Sequence, residues 1–166
     1  PMITIKEMTS KKELKQYVKF PFKLYKNNEY WVPPIINEEI ESFDKNINPV
    51  FQNAEGRFFL AYENNKIVGR VGALINWIEV KEQGIKKMRF GWFDVIDKQE
   101  VTNALLDKVN EIGKENNLEF IEGPIGFSNL DKVGVVYEGF DQIGSMITWE
   151  NHPYYVTHLE AYGMTF

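Results

Sequence analysis

Apolar and polar residues alternate from Ile3 to Met8, the period of a half-buried strand. Ser10 followed by Glu13 then has the spacing of a capping box, opening a helix that runs towards Phe20. The next stretch, FPFKLYKNNEYWVPPIINEEI, contains Pro21, Pro33 and Pro34, so the chain turns repeatedly there. A short second helix begins near Pro34, where a missing N–H does no harm. The aromatic residues of this stretch, Phe22, Tyr25, Tyr30 and Trp31, either grip an apolar or planar ligand or cover one end of the core, the usual place for such rings. Phe58 to Tyr62, Lys66 to Trp77 and Met88 to Ile96 read as three consecutive antiparallel strands, with the polar turn Glu63-Asn64-Asn65-Lys66 joining the first two. From Gln99 to Asn116, Val101, Ala104, Leu105, Val109 and Ile112 share one stripe while Asp107, Lys108, Asn110, Glu111 and Lys114 face outward, which predicts an amphipathic helix. Leu118 to Ile121 follows as a short buried strand that stops at Glu122-Gly123-Pro124. The last periodic segment, Pro153 to Tyr162, is a helix closed by Gly163.

Strand, helix, helix, three strands, helix, strand, helix is the order of an α+β domain, with helices covering a mostly antiparallel sheet. The strand after the long helix is expected to return parallel to its predecessor through a right-handed crossover. No repeat or low-complexity linker breaks the order, so residues 1–166 read as a single domain. Glycines 123, 126, 134, 139 and 144 punctuate a connection far longer than compact domains usually carry. That connection either lines a ligand cleft or holds an extra strand or hairpin built on Val133, Val135, Val136, Tyr137 and Phe140.

Composition narrows the chemistry. With 166 residues, 43% of them hydrophobic, the chain can bury one sizeable core. The absence of cysteine removes disulfides, thiolate catalysis and the soft ligands of a structural zinc site. There is no apolar leader and no run long enough to span a bilayer, so a cytoplasmic protein without a membrane partner is expected. A net charge of -5 opposes nucleic-acid binding. The lysine-rich stretch from Lys6 to Lys26 is the local exception; its lysines are interleaved with Glu7 and Glu13, as on a solvated helix face. His152 and His158 fall on different helix faces and no carboxylate pair joins them, so no metal site is expected. Ser128 lacks the Gly-x-Ser-x-Gly surroundings of a nucleophile.

Four stretches in order, FFLAYENNKIVGRVGALIN, RFGWFDVID, VTNALLDKVNEIGKENN and HLEAYGM, resemble the GNAT superfamily of acyl-CoA-dependent acetyltransferases. The run FPFKLY, YWVPP, RFGWFD and EGPIGF is also similar to the start of a group of longer bacterial GNAT-like proteins. The resemblance implies a GNAT-like mixed sheet flanked by helices, here lacking the final strands, and acetyl transfer from acetyl-CoA to the amine of a small molecule or peptide. It implies cofactor contacts at Val95, Ile96, Lys98 and Thr102, a catalytic base at Asp94 or Glu122, and an acid on the last helix. Tyr155 and His158 stand near that last position, which Leu159 occupies. Where the family carries a glycine-rich phosphate turn, this chain has Lys98, Glu100 and Thr102, with Asp97 at the usual basic position. These side chains suit an ordinary helix start, although Lys98 could meet phosphate as a point charge. A non-catalytic structural or interaction domain of a longer protein is the alternative. Because the family's domain continues into further strands, an unpaired edge is expected to be completed by a homodimer or by the rest of a longer protein.

Overall fold

Ser10 closes the box that its spacing predicts: Oγ accepts from the Glu13 N–H at 3.1 Å, and Glu13 Oε1 accepts from the Ser10 N–H at 3.2 Å. The structure is a computed structural model that describes residues 2–29, 31, 33–125 and 154–165. Tyr30, Ser128, His152, the glycines from 126 to 144 and the hairpin expected around Val133 to Phe140 lie outside the described residues.

Strand β1 (Ile3–Glu7) precedes the capping box, and helix α1 (Lys11–Leu24) follows it. The helix therefore continues past Phe20 and through Pro21. Proline cannot donate to the carbonyl four residues back, which belongs to Tyr17. An Arg70 terminal nitrogen donates there instead, at 2.9 Å, so a side chain from the sheet replaces the missing helix bond.

Helix α2 (Ile36–Ser42) and a 3-10 turn (Pro49–Gln52) lead into β2 (Ala54–Glu63) and β3 (Lys66–Asn76). Asn64 and Asn65 take φ of 52° and 64°, the left-handed pair that a two-residue hairpin favours. A π-helical turn (Ile78–Glu82), β4 (Lys87–Val95), α3 (Gln99–Glu115), β5 (Phe120–Ile125) and α4 (Tyr154–Tyr162) complete the described elements. The sheet order is β1-β2-β3-β4-β5; the first three pairings are antiparallel and β4 with β5 is parallel. This is the mixed, mostly antiparallel α+β sheet that the element order predicts. β5 runs through Gly123-Pro124 rather than stopping there. It is an edge strand among the described residues, where proline is tolerated. Gly123 is needed, because a Cβ at that position would lie 2.4 Å from Phe90 O.

One face of the sheet packs Phe59, Val71, Phe90 and Val95 against Leu105 and Val109 of α3 and Leu159 of α4. The other packs Phe58, Leu60 and Leu74 against Tyr17 and Val18 of α1 and Phe43. A bulge in β4 decides which face Asp94 meets. Between the pairs Arg70↔Asp94 and Gly72↔Gly91, β4 carries one more residue than β3, and Trp92 takes φ 45°. Met88 and Phe90 point into the α3 core, and simple alternation would send Asp94 there too. The extra residue instead gives those places to Phe93 and Val95 and turns Asp94 towards Arg70.

Candidate functional site

Asp94 is 6% exposed at the end of β4, and both of its oxygens are engaged. Oδ2 accepts from Arg70 Nε at 2.9 Å and from a second Arg70 nitrogen at 2.8 Å. Oδ1 accepts from the Tyr25 hydroxyl at 2.9 Å and the Tyr155 hydroxyl at 3.1 Å, and those two phenol oxygens are 2.8 Å apart. Tyr25 is held from behind by Trp31, stacked with ring centroids 5.3 Å apart.

Among the described residues, β4 pairs with β5 as far as Gly91↔Ile125. On the side away from β3, two tyrosines of α4 take the backbone of Val95: the N–H donates to Tyr155 Oη at 3.1 Å, and the carbonyl accepts from the Tyr154 hydroxyl at 2.6 Å. Burial, then the charge of Asp94, then Tyr25 hold Tyr155 well above the ordinary tyrosine range, so it keeps its proton. Tyr25 is raised by the same burial and the same carboxylate.

The start of α3 is tied to α4. Thr102 Oγ1 is 2.7 Å from His158 Nδ1, His158 Nε2 is 3.0 Å from Asp97 Oδ1, and Gln99 Nε2 donates to His158 O at 2.9 Å. Lys98 Nζ meets Glu63 Oε2 at 2.5 Å, and the Ile96 N–H donates to Val68 O at 3.0 Å. The fit to acetyl-CoA therefore divides. Around Val95 and Tyr155, a protonated phenol held by the Val95 amide suits a leaving group. At α3 the residues do not suit a pyrophosphate: Thr102 is fully buried on His158, Lys98 is paired, and Asp97 and Glu100 add negative charge.

Asp94, Val95 and Tyr155 thus come together, while Glu122 lies elsewhere. It sits opposite Arg89 near the other end of β4, with Oε2 2.7 Å from Lys87 Nζ. Lys87 also reaches Glu79 at 3.2 Å, and Arg89, fully buried, grips both Glu79 oxygens at 2.8 and 2.6 Å. Burial raises Glu79, but Arg89 and Lys87 outweigh it and hold the carboxyl below its usual value. Sequence reasoning did not give Tyr25 a role in the chemistry. It also passed over Glu39 on α2, which burial raises against the pull of Arg70 and a hydrogen bond with Trp92.

The fold is that of the GNAT acetyltransferases. A predicted acetyltransferase of Clostridium acetobutylicum, crystallised with acetyl-CoA, superposes with a TM-score of 0.53 at 16% identity, covering 83% of this chain and 90% of that one. A GNAT-family acetyltransferase of Staphylococcus aureus gives 0.52 at 19% identity, covering 82% and 81%. No protein-family model matches the chain. Among sequence relatives, Protein YghO of Escherichia coli is 28% identical over 159 residues, which is 96% of this chain and 40% of that protein. The bacterial ceramide synthase of Caulobacter vibrioides is 28% identical over 130 residues, 78% of this chain and 34% of that protein. The chain spans less than half the length of either relative.

Proposed function

We propose that the chain is the acyl-transfer domain of an N-acyltransferase, which moves an acyl group from a thioester to an amine. The observation that carries this reading is the Tyr155 hydroxyl: protonated, fixed by Asp94 and Tyr25, and set against the Val95 amide at the end of β4. In this reaction a C–N bond forms as a C–S bond breaks. Tyr155 gives its Oη proton to the departing sulfur and regains the proton that the nitrogen sheds, while Asp94 holds the phenol in position. A relative named as a ceramide synthase supports the amide-forming class, since ceramide is the N-acyl derivative of an amino alcohol.

Thiol release from short- and long-chain acyl-CoA in the presence of amines tests this. The chain has no cysteine, so a thiol-reactive dye sees only product. Amine-dependent release is expected, with Tyr155→Phe slower by about a hundredfold or more while still folded. A folded Tyr155→Phe that matches the parent rate overturns the assignment.

A second reading, a non-catalytic structural or interaction domain of a longer protein, is favoured by the internally closed contacts at the start of α3. It expects no thiol release with any amine and no heat when CoA is titrated in.

A further inference from the structure

Residues 11–26 hold six lysines against one acid, Glu13, in a chain whose formal net charge is -5. Glu13 does little to offset that surplus at the surface, because its carboxylate is buried in the capping box and also holds Lys6 at 3.0 Å. Lys12, Lys15, Lys19 and Lys23 recur every three or four residues, which places them in one stripe along α1, and Lys26 extends it into the following turn. All five are exposed, and none pairs with an acid among the described residues.

An open groove of about 550 Å³ between α1 and α2 runs beside the stripe. Its walls are Phe22, Ile35, Ile36 and Ile40, with Lys15 and Lys19 at the rim. Ile35 is 63% exposed. On α2, Ile36 and Ile40 are one turn apart and face the groove, whereas the exposed acid Glu38 projects from the opposite side.

We propose that this face docks on an anionic lipid bilayer, with the lysine stripe on the headgroups and the α1–α2 groove taking up an acyl chain. A row of lysines beside an open apolar surface is the arrangement that binds such an interface from one side. No helix among the described residues is long and apolar enough to cross a membrane; the contact proposed is with the bilayer surface. An acidic protein would also answer the lysines; the aliphatic groove beside them is what favours an amphiphile. The inference is independent of the acyl-transfer reading, since thiol release is followed without lipid.

Co-sedimentation with vesicles tests it. The chain is expected to pellet with phosphatidylcholine and phosphatidylglycerol in equal parts, to be released by salt, and to ignore phosphatidylcholine alone. Neutralising Lys15, Lys19 and Lys23 together to Gln is expected to lower partitioning about a hundredfold, at about fivefold per lysine. Ile35→Ser is expected to weaken binding while leaving its salt dependence intact. These positions are all exposed, and a circular-dichroism melt checks each fold first. No pelleting with the anionic vesicles overturns the proposal, as does equal pelleting with neutral ones or parental partitioning of the triple variant.

Discussion

Arg70 joins three parts of the molecule through one guanidinium. It supplies the donor that Pro21 withholds from Tyr17 O, binds Asp94 through two nitrogens, and lies 5.0 Å from the centre of the Tyr17 ring. Replacing it by Met leaves a buried carboxylate without its counter-charge, and removing one partner of such a pair typically destabilises by about 3–5 kcal/mol. Urea denaturation of Arg70→Met is expected to show a loss of that order, and adding Asp94→Asn should recover part of it. Equal loss in the single and double variants would mean that the pair is not coupled. The neighbouring Tyr17 hydroxyl is the opposite case: it is buried and has no hydrogen-bond partner among the described residues. Tyr17→Phe removes an unsatisfied polar atom and keeps the ring contacts with Phe43 and Phe58, so its midpoint should equal or exceed the parent's, by up to about 1 kcal/mol.

Two glycines of the sheet separate soft crowding from hard. A Cβ on Gly69 would meet Val101 Cγ1 at 2.8 Å, a side chain that can shift; one on Gly123 would meet Phe90 O, which is backbone and cannot. Thermal melts should therefore rank Gly123→Ala below Gly69→Ala, with overpacking at Gly123 costing roughly 1–3 kcal/mol or more. Periodicity made α3 and the β2–β3–β4 meander legible in the sequence, because their apolar stripes face a single core. Local rules failed where a distant residue changes the local cost. The penalty of Pro21 is relieved by Arg70, far along the chain, and Gly123-Pro124 continues a β5 that is an edge strand among the described residues. The same limit applies to the site. Asp94 was visible because a charge interrupts an apolar strand, and Tyr155 because it lies on the closing helix. Their bridge to Tyr25 spans 69 and 130 residues of chain, and the bulge that turns Asp94 is not announced by a glycine at Trp92.

Across the whole molecule, α4 is fastened by tyrosine hydroxyls as well as by its apolar contacts, and the hydroxyls give the fold an alkaline weakness. Tyr154 and Tyr155 hold the end of β4, and the Tyr162 hydroxyl lies 2.8 Å from Asp107 Oδ1 and 2.7 Å from Asn110 Nδ2. Burial is the leading cause that raises all three and Tyr25, with nearby carboxylates adding to it; Tyr162 is pushed up to about 12. Unfolded, each phenol titrates near pH 10. Above that value the unfolded chain has lost protons that the folded chain retains, so unfolding is favoured as pH rises. The stabilisation is complete below pH 10 and is lost progressively as pH climbs through the folded values. Each such tyrosine adds a slope of up to about 1.4 kcal/mol per pH unit. Urea midpoints measured upward from pH 10 should fall steeply, and Tyr162→Phe should flatten the portion between about 10 and about 12. Tyr25 and Tyr155 share one carboxylate oxygen, so replacing both by Phe should remove more of the higher-pH slope than Tyr162→Phe does. A midpoint that stays level above pH 10 in the parent chain would mean that these phenols ionise as freely folded as unfolded, and that α4 is held by its apolar contacts instead.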